Sequence, residues 1–153
     1  MSSIATESGV QATPAPKPVT PLSICHLELG HTGAGNASIE QLVTLIRFSH
    51  SLTHLSLTKC HDITQFGWRD LFKAIQASGV MTHLDLSENK LDRLSRPGSS
   101  SSRDGDRASN PLQLLAGSKI TVLGLMNTQL TREAVEDLLG ITANHSSVID
   151  INV

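Results

Sequence analysis

Apolar residues recur along the chain in one local pattern: aliphatic, two open positions, aliphatic, one open position, aliphatic. It occurs as ICHLEL from Ile24, LTHLSL from Leu52, MTHLDL from Met81, ITVLGL from Ile120 and VIDINV from Val148. The starts lie 28, 29, 39 and 28 residues apart, which is the signature of an internal repeat. Within each copy the last two aliphatic positions alternate with polar ones. Leu55 and Leu57, for example, alternate with His54, Ser56 and Thr58. A period of two predicts a short strand with one buried face.

After the strand at Leu52 comes KCHDITQFG, polar and closed by a glycine, which reads as a turn. The following WRDLFKAIQAS sets Trp68, Leu71, Phe72 and Ile75 on one face of a helix. IEQLVTLIRFS does the same in the preceding unit with Ile39, Leu42 and Ile46, and the fourth unit offers Val135, Leu138 and Leu139. Each unit is thus strand, turn and helix. Strands joined through helices run parallel, with right-handed crossovers, so the units predict an α/β solenoid with strands on one side and helices on the other. About 4.5 repeats are expected. The long spacing of 39 marks an insertion, assigned to the Ser-rich stretch 95–111, after which only PLQLLAGS remains as a short helix.

These residues resemble the leucine-rich repeat. MTHLDLSENKL places Met81 in the first Leu slot and Asn89 in the Asn slot of that motif, while LTHLSLTKCHDIT places Cys60 there with Ile63 one residue late. Thr32 and Thr128 fill the same slot in the first and fourth units. The unit length is similar to that of the ribonuclease-inhibitor-like subclass, and Cys60 resembles the cysteine-containing one. The resemblance covers residues 22–153 without the insertion. It implies a curved parallel sheet on the concave side, helices on the convex side, and binding of a protein partner on the concave sheet.

Strand parity defines what that face carries. One column holds His26, His54, His83, Val122 and Asp150; the next Glu28, Ser56, Asp85, Gly124 and Asn152; the third Gly30, Thr58, Ser87 and Met126. The residues expected to touch a partner are His26, Glu28, His54, Ser56, Thr58, His83, Asp85 and Ser87. The three histidines, with Asp85 as a fourth ligand, could be read as a zinc site. Strands about 4.8 Å apart put His26 and His83 roughly 9–10 Å apart, a strained span for one ion. A polar contact face is therefore expected, with no metal and no cofactor; a pH-sensitive face is a further reading, since histidine titrates near neutrality.

Composition narrows the classes further. The net charge of −2 gives no reason to expect a nucleic-acid or anionic-membrane partner. With no Tyr, one Trp and three Phe, stacking platforms are scarce. No apolar run is long enough to span a membrane, and no h-region follows Met1 to make a secretory signal. Two cysteines make no disulfide framework. Cys60 beside His61 could suggest a thiolate nucleophile, but the repeat slot already accounts for it, and no catalytic motif is present, so no enzyme is expected. Cys25 is expected to be a small half-buried apolar residue.

Residues 1–21 are rich in Ser, Thr, Ala and Pro and are expected to form a disordered arm on a cytoplasmic protein. The alternative is an export signal, making the chain a secreted bacterial effector that binds a host protein. Arg96 to Ser99 has a basic-x-x-Ser spacing that a kinase could use. Residues 148–153 are expected to form an edge strand open to pairing.

Overall fold

The computed structural model describes residues 23–94, 111–143 and 150–152. The proposed arm (1–21), most of the insertion with its Arg96–Ser99 motif, and parts of 148–153 lie outside the described residues. The elements run β1 (His26–Glu28), α1 (Asn36–Phe48), β2 (His54–Ser56), α2 (Gln65–Ser78), β3 (His83–Asp85), β4 (Val122–Gly124), α3 (Arg132–Ala143) and β5 (Asp150–Asn152). Two 3₁₀ segments, Asp92–Leu94 and Pro111–Gly117, stand between β3 and β4.

The five strands form one parallel sheet in sequence order, β1-β2-β3-β4-β5. The register pairs His26 with His54, His54 with His83, His83 with Val122 and Val122 with Asp150. The 39-residue spacing therefore changes nothing on the sheet: β3 and β4 pair in the same register as their neighbours. Each backbone turn is stitched to the next. Leu29 N–H donates to Ser56 O at 2.9 Å, Leu57 N–H to Asp85 O at 2.9 Å, and Leu86 N–H to Gly124 O at 2.9 Å.

The inward leucines behave as the alternation predicts. Leu55, Leu57, Leu84, Leu86, Leu123 and Leu125 are all buried, in one cluster with Ile39, Leu42 and Ile46 of α1 and Trp68, Leu71, Phe72 and Ile75 of α2. Trp68 stacks on Phe72 at 6.0 Å and is a core residue. On the helical side α1 packs beside α2, α2 beside the 3₁₀ segment Pro111–Gly117, and that segment beside α3.

Four details depart from the sequence reading. Gly67, read as a turn residue, lies inside the first turn of α2, because that helix begins at Gln65. A Cβ there would meet Asn36 Oδ1 at 2.7 Å, and Asn36 in turn accepts from Thr64 N–H at 3.0 Å, tying the starts of the two helices together. PLQLLAGS folds as a 3₁₀ segment rather than an α-helix. In α3 the inward pair is Ala134 and Leu138; Val135 is half-buried and Leu139 exposed. At the first unit, Ile24 is 39% exposed where its equivalents Leu52, Met81 and Ile120 are 1%, because no described strand flanks β1 on that side. Glycine is needed for its conformation at Gly79, which ends α2 in the left-handed region at φ 62°.

The turn slot explains how each strand is closed. Asn89 is 1% exposed. Its Oδ1 accepts from Cys60 N–H at 2.7 Å, and its Nδ2 donates to Leu57 O at 2.6 Å and Leu86 O at 2.9 Å, so one amide ties two units. Thr32 and Thr128 donate to the carbonyl three residues back, Leu29 at 2.7 Å and Leu125 at 2.8 Å. Cys60 makes the weaker sulfur equivalents, to Leu29 O at 3.5 Å and Thr58 O at 3.6 Å.

Candidate binding face

The side chains that point away from the helices line a groove of about 530 Å³ across β1 to β4. His26, His54 and His83 form one wall element, Glu28, Ser56, Asp85 and Gly124 the next column, and Val122, Ser87 and Met126 complete it. Seven of the eight residues proposed from sequence thus share one surface. Thr58 does not line it: its hydroxyl leans over Gly30, where a Cβ would collide with Oγ1. Val122, Gly124 and Met126 fell on the same columns but were not singled out as site residues.

The three imidazoles stack face to face. Ring centroids are 3.9 Å apart for His26 and His54 and 3.9 Å for His54 and His83, with interplanar angles of 25° and 18°. In-plane lone pairs of stacked rings run side by side instead of converging, and among the described residues no group of His, Cys, Asp and Glu is arranged to hold a metal ion. Burial between the flanking rings pushes the His54 pKa down, and the neighbouring His83 and His26 add to this by charge repulsion.

Two threonines, overlooked in the sequence, orient this stack. Thr53 Oγ1 lies 2.8 Å from His54 Nδ1 and Thr82 Oγ1 2.9 Å from His83 Nδ1. The repeated "TH" of LTHL and MTHL was the available signal. Asp85 is placed just as locally. Its Oδ1 accepts from Ser87 N–H at 2.9 Å, and it leans over Gly124, where a Cβ would stand 2.5 Å from that oxygen. Gly124 is thus a close-approach glycine that leaves room for the carboxylate.

The cysteines take no part in the face. Cys60 is buried, and burial pushes its thiol pKa up, only partly offset by hydrogen bonds from the Ala34 backbone and the Thr32 side chain. This is the opposite of what a thiolate nucleophile needs. Cys25, expected to be half-buried, is exposed. It occupies the place of Thr53 and Thr82 in the first unit, just before the edge strand β1, where no described neighbour covers it. Among the described residues no helix is long and apolar enough to cross a membrane.

No family model matches the chain. It is similar to the ribonuclease inhibitor of Sus scrofa, with 40% identity over 70 residues, a stretch that is 45% of this chain and 15% of that relative. The chain therefore spans a small part of the length of the protein it matches.

Proposed function

We propose that the chain is a leucine-rich-repeat module that binds a protein partner on the outer, concave face of its parallel sheet and has no catalytic role. The observation that carries this reading is the groove: side chains repeated at equal register across four strands line one continuous surface, and core packing does not dictate their identity. The turn slot filled by Thr32, Cys60, Asn89 and Thr128 supports the repeat class, as does the similarity to a relative named as an inhibitor of an enzyme. Seven residues form the proposed contact set: His26, Glu28, His54, Ser56, His83, Asp85 and Ser87. Raised thiol pKa and burial at Cys60 speak against the thiol-enzyme alternative.

Site-specific photo-crosslinking tests this. A crosslinker at Ser56, in the groove, is expected to trap a protein partner, whereas one at Lys73, on the exposed side of α2, is not. Adducts from Lys73 with none from Ser56 would move the binding surface to the helical side.

A further inference from the structure

The histidine stack carries more information than its position. A threonine hydroxyl has one proton to give. Thr53 Oγ1 lies 3.2 Å from Cys25 O, and Thr82 Oγ1 lies 3.3 Å from Thr53 O, carbonyls that each also accept two backbone N–H bonds; we assign the hydroxyl protons to these contacts. Thr121 repeats the arrangement, donating to Thr82 O at 3.2 Å. Each hydroxyl can then only accept from the histidine beside it. The tautomer that satisfies the whole chain of bonds has Nδ1 protonated in His54 and His83, leaving the lone pair on Nε2, at the far edge of each ring. With Cys25 in place of a threonine, His26 lacks this device.

We propose that the groove recognises a cationic, hydrogen-bond-donating segment of a protein partner through the Nε2 atoms of His54 and His83, held as acceptors by Thr53 and Thr82, and releases it on acidification. This rests on the protein-binding reading above. Charge complementarity selects the occupant: Glu28 and Asp85 line the groove, and no Lys or Arg among the described residues does. The groups that share the groove with His54 are His26 and Glu28 of β1 and His83 and Asp85 of β3; β2 itself and β4 add no further ionisable side chain to it. Protonating an imidazole turns its Nε2 acceptor into a donor and sets a positive charge against a cationic ligand, so affinity falls with pH. The depressed pKa of the central ring favours its neutral, accepting form.

Two measurements test it on the full chain. Long-range proton–nitrogen spectra at about pH 7.5 should show Nε2 of His54 and His83 unprotonated. The T53V/T82V variant should gain the Nε2–H form and T53S/T82S should restore the wild-type pattern; Nε2–H rings in the wild type overturn the proposal. Hexaarginine and hexaglutamate peptides are then titrated at about 0.15 M salt, where long-range attraction is screened. Hexaarginine should perturb the groove backbone of β2 and β3, bind at least about tenfold more weakly at pH 5.5 than at pH 7.5, and lose most of that dependence in H54Q/H83Q, whose amides accept but do not titrate. Equal hexaarginine binding in the groove at both pH values, or preference for hexaglutamate at pH 7.5, sinks this inference alone. Perturbation by neither peptide, together with crosslinks only from Lys73, sinks the protein-binding reading with it.

Discussion

Replacing Asn89 by Ala removes the amide that joins the second and third units. The substitution leaves Cys60 N–H, Leu57 C=O and Leu86 C=O without the partners they have at 2.7, 2.6 and 2.9 Å, at a residue that is 1% exposed. A buried backbone group stripped of its partner costs about 1–3 kcal/mol, so three such groups set a range of about 3–9 kcal/mol. Water entering the space left by the amide recovers part of this, and we expect a loss of about 3 kcal/mol. Asn89→Thr should fall between. Its hydroxyl can donate to the carbonyl of Leu86 as Thr128 does to Leu125, but it is too short to serve Leu57 and Cys60 together. Urea melts followed by circular dichroism would measure both variants. In a domain whose total stability is about 5–15 kcal/mol the loss is easily resolved. An alanine variant within about 0.5 kcal/mol of wild type would show that the amide's bonds are replaceable by solvent and that the slot is not what closes the turn.

Three other outcomes follow from the same structure. Deleting residues 95–108 should leave the fold intact and stability within about 1 kcal/mol, because β3 and β4 keep register across the longer spacing and loop length contributes weakly; loss of cooperative melting in the deletion variant would contradict this. A thiol reagent should modify Cys25 in the native protein and Cys60 only on unfolding, and rapid modification of both by mass spectrometry would contradict the burial of Cys60. Because the folded pKa of His54 lies below its unfolded value, the unfolded chain takes up the proton more readily. Stability should then be unaffected by this group above the histidine range and fall as pH drops through about 6.5, more steeply in wild type than in H54Q. Parallel stability–pH curves for the two proteins would refute the shift.

The sheet was the most legible part of the sequence, since strict alternation around Leu55 and Leu84 leaves one choice of buried face. Trp68, Leu71, Phe72 and Ile75 were equally plain, because large apolar residues at helical spacing admit one inward face. The phase failed in α3, where Ala134 is the buried residue. Alanine carries little apolar signal, and Val135 and Leu139 outweighed it. The end of the third unit was misread for a related reason: PLQLLAG has apolar content but only one 3₁₀ segment's length in which to use it. Ile24 and Cys25 followed the repeat pattern in sequence, yet burial depends on a flanking strand, which local sequence does not contain. The columns of the groove were readable from parity, but the stacking of the rings and the role of Thr53 and Thr82 were not. Both depend on the exact register between strands nearly thirty residues apart.

The sequential order of the strands has a mechanical consequence. Every strand hydrogen-bonds only to units that precede or follow it in the chain, and the three-residue strands carry few bonds each. Tension along the chain therefore loads these units in series, and among the described residues no strand is clamped by a distant segment. Extension should proceed by detachment of units one at a time, freeing about 28 residues, some 90–100 Å of chain, or 39 residues for the third unit, before the next bears the load. Pulling should therefore give stepwise yielding instead of a single rupture.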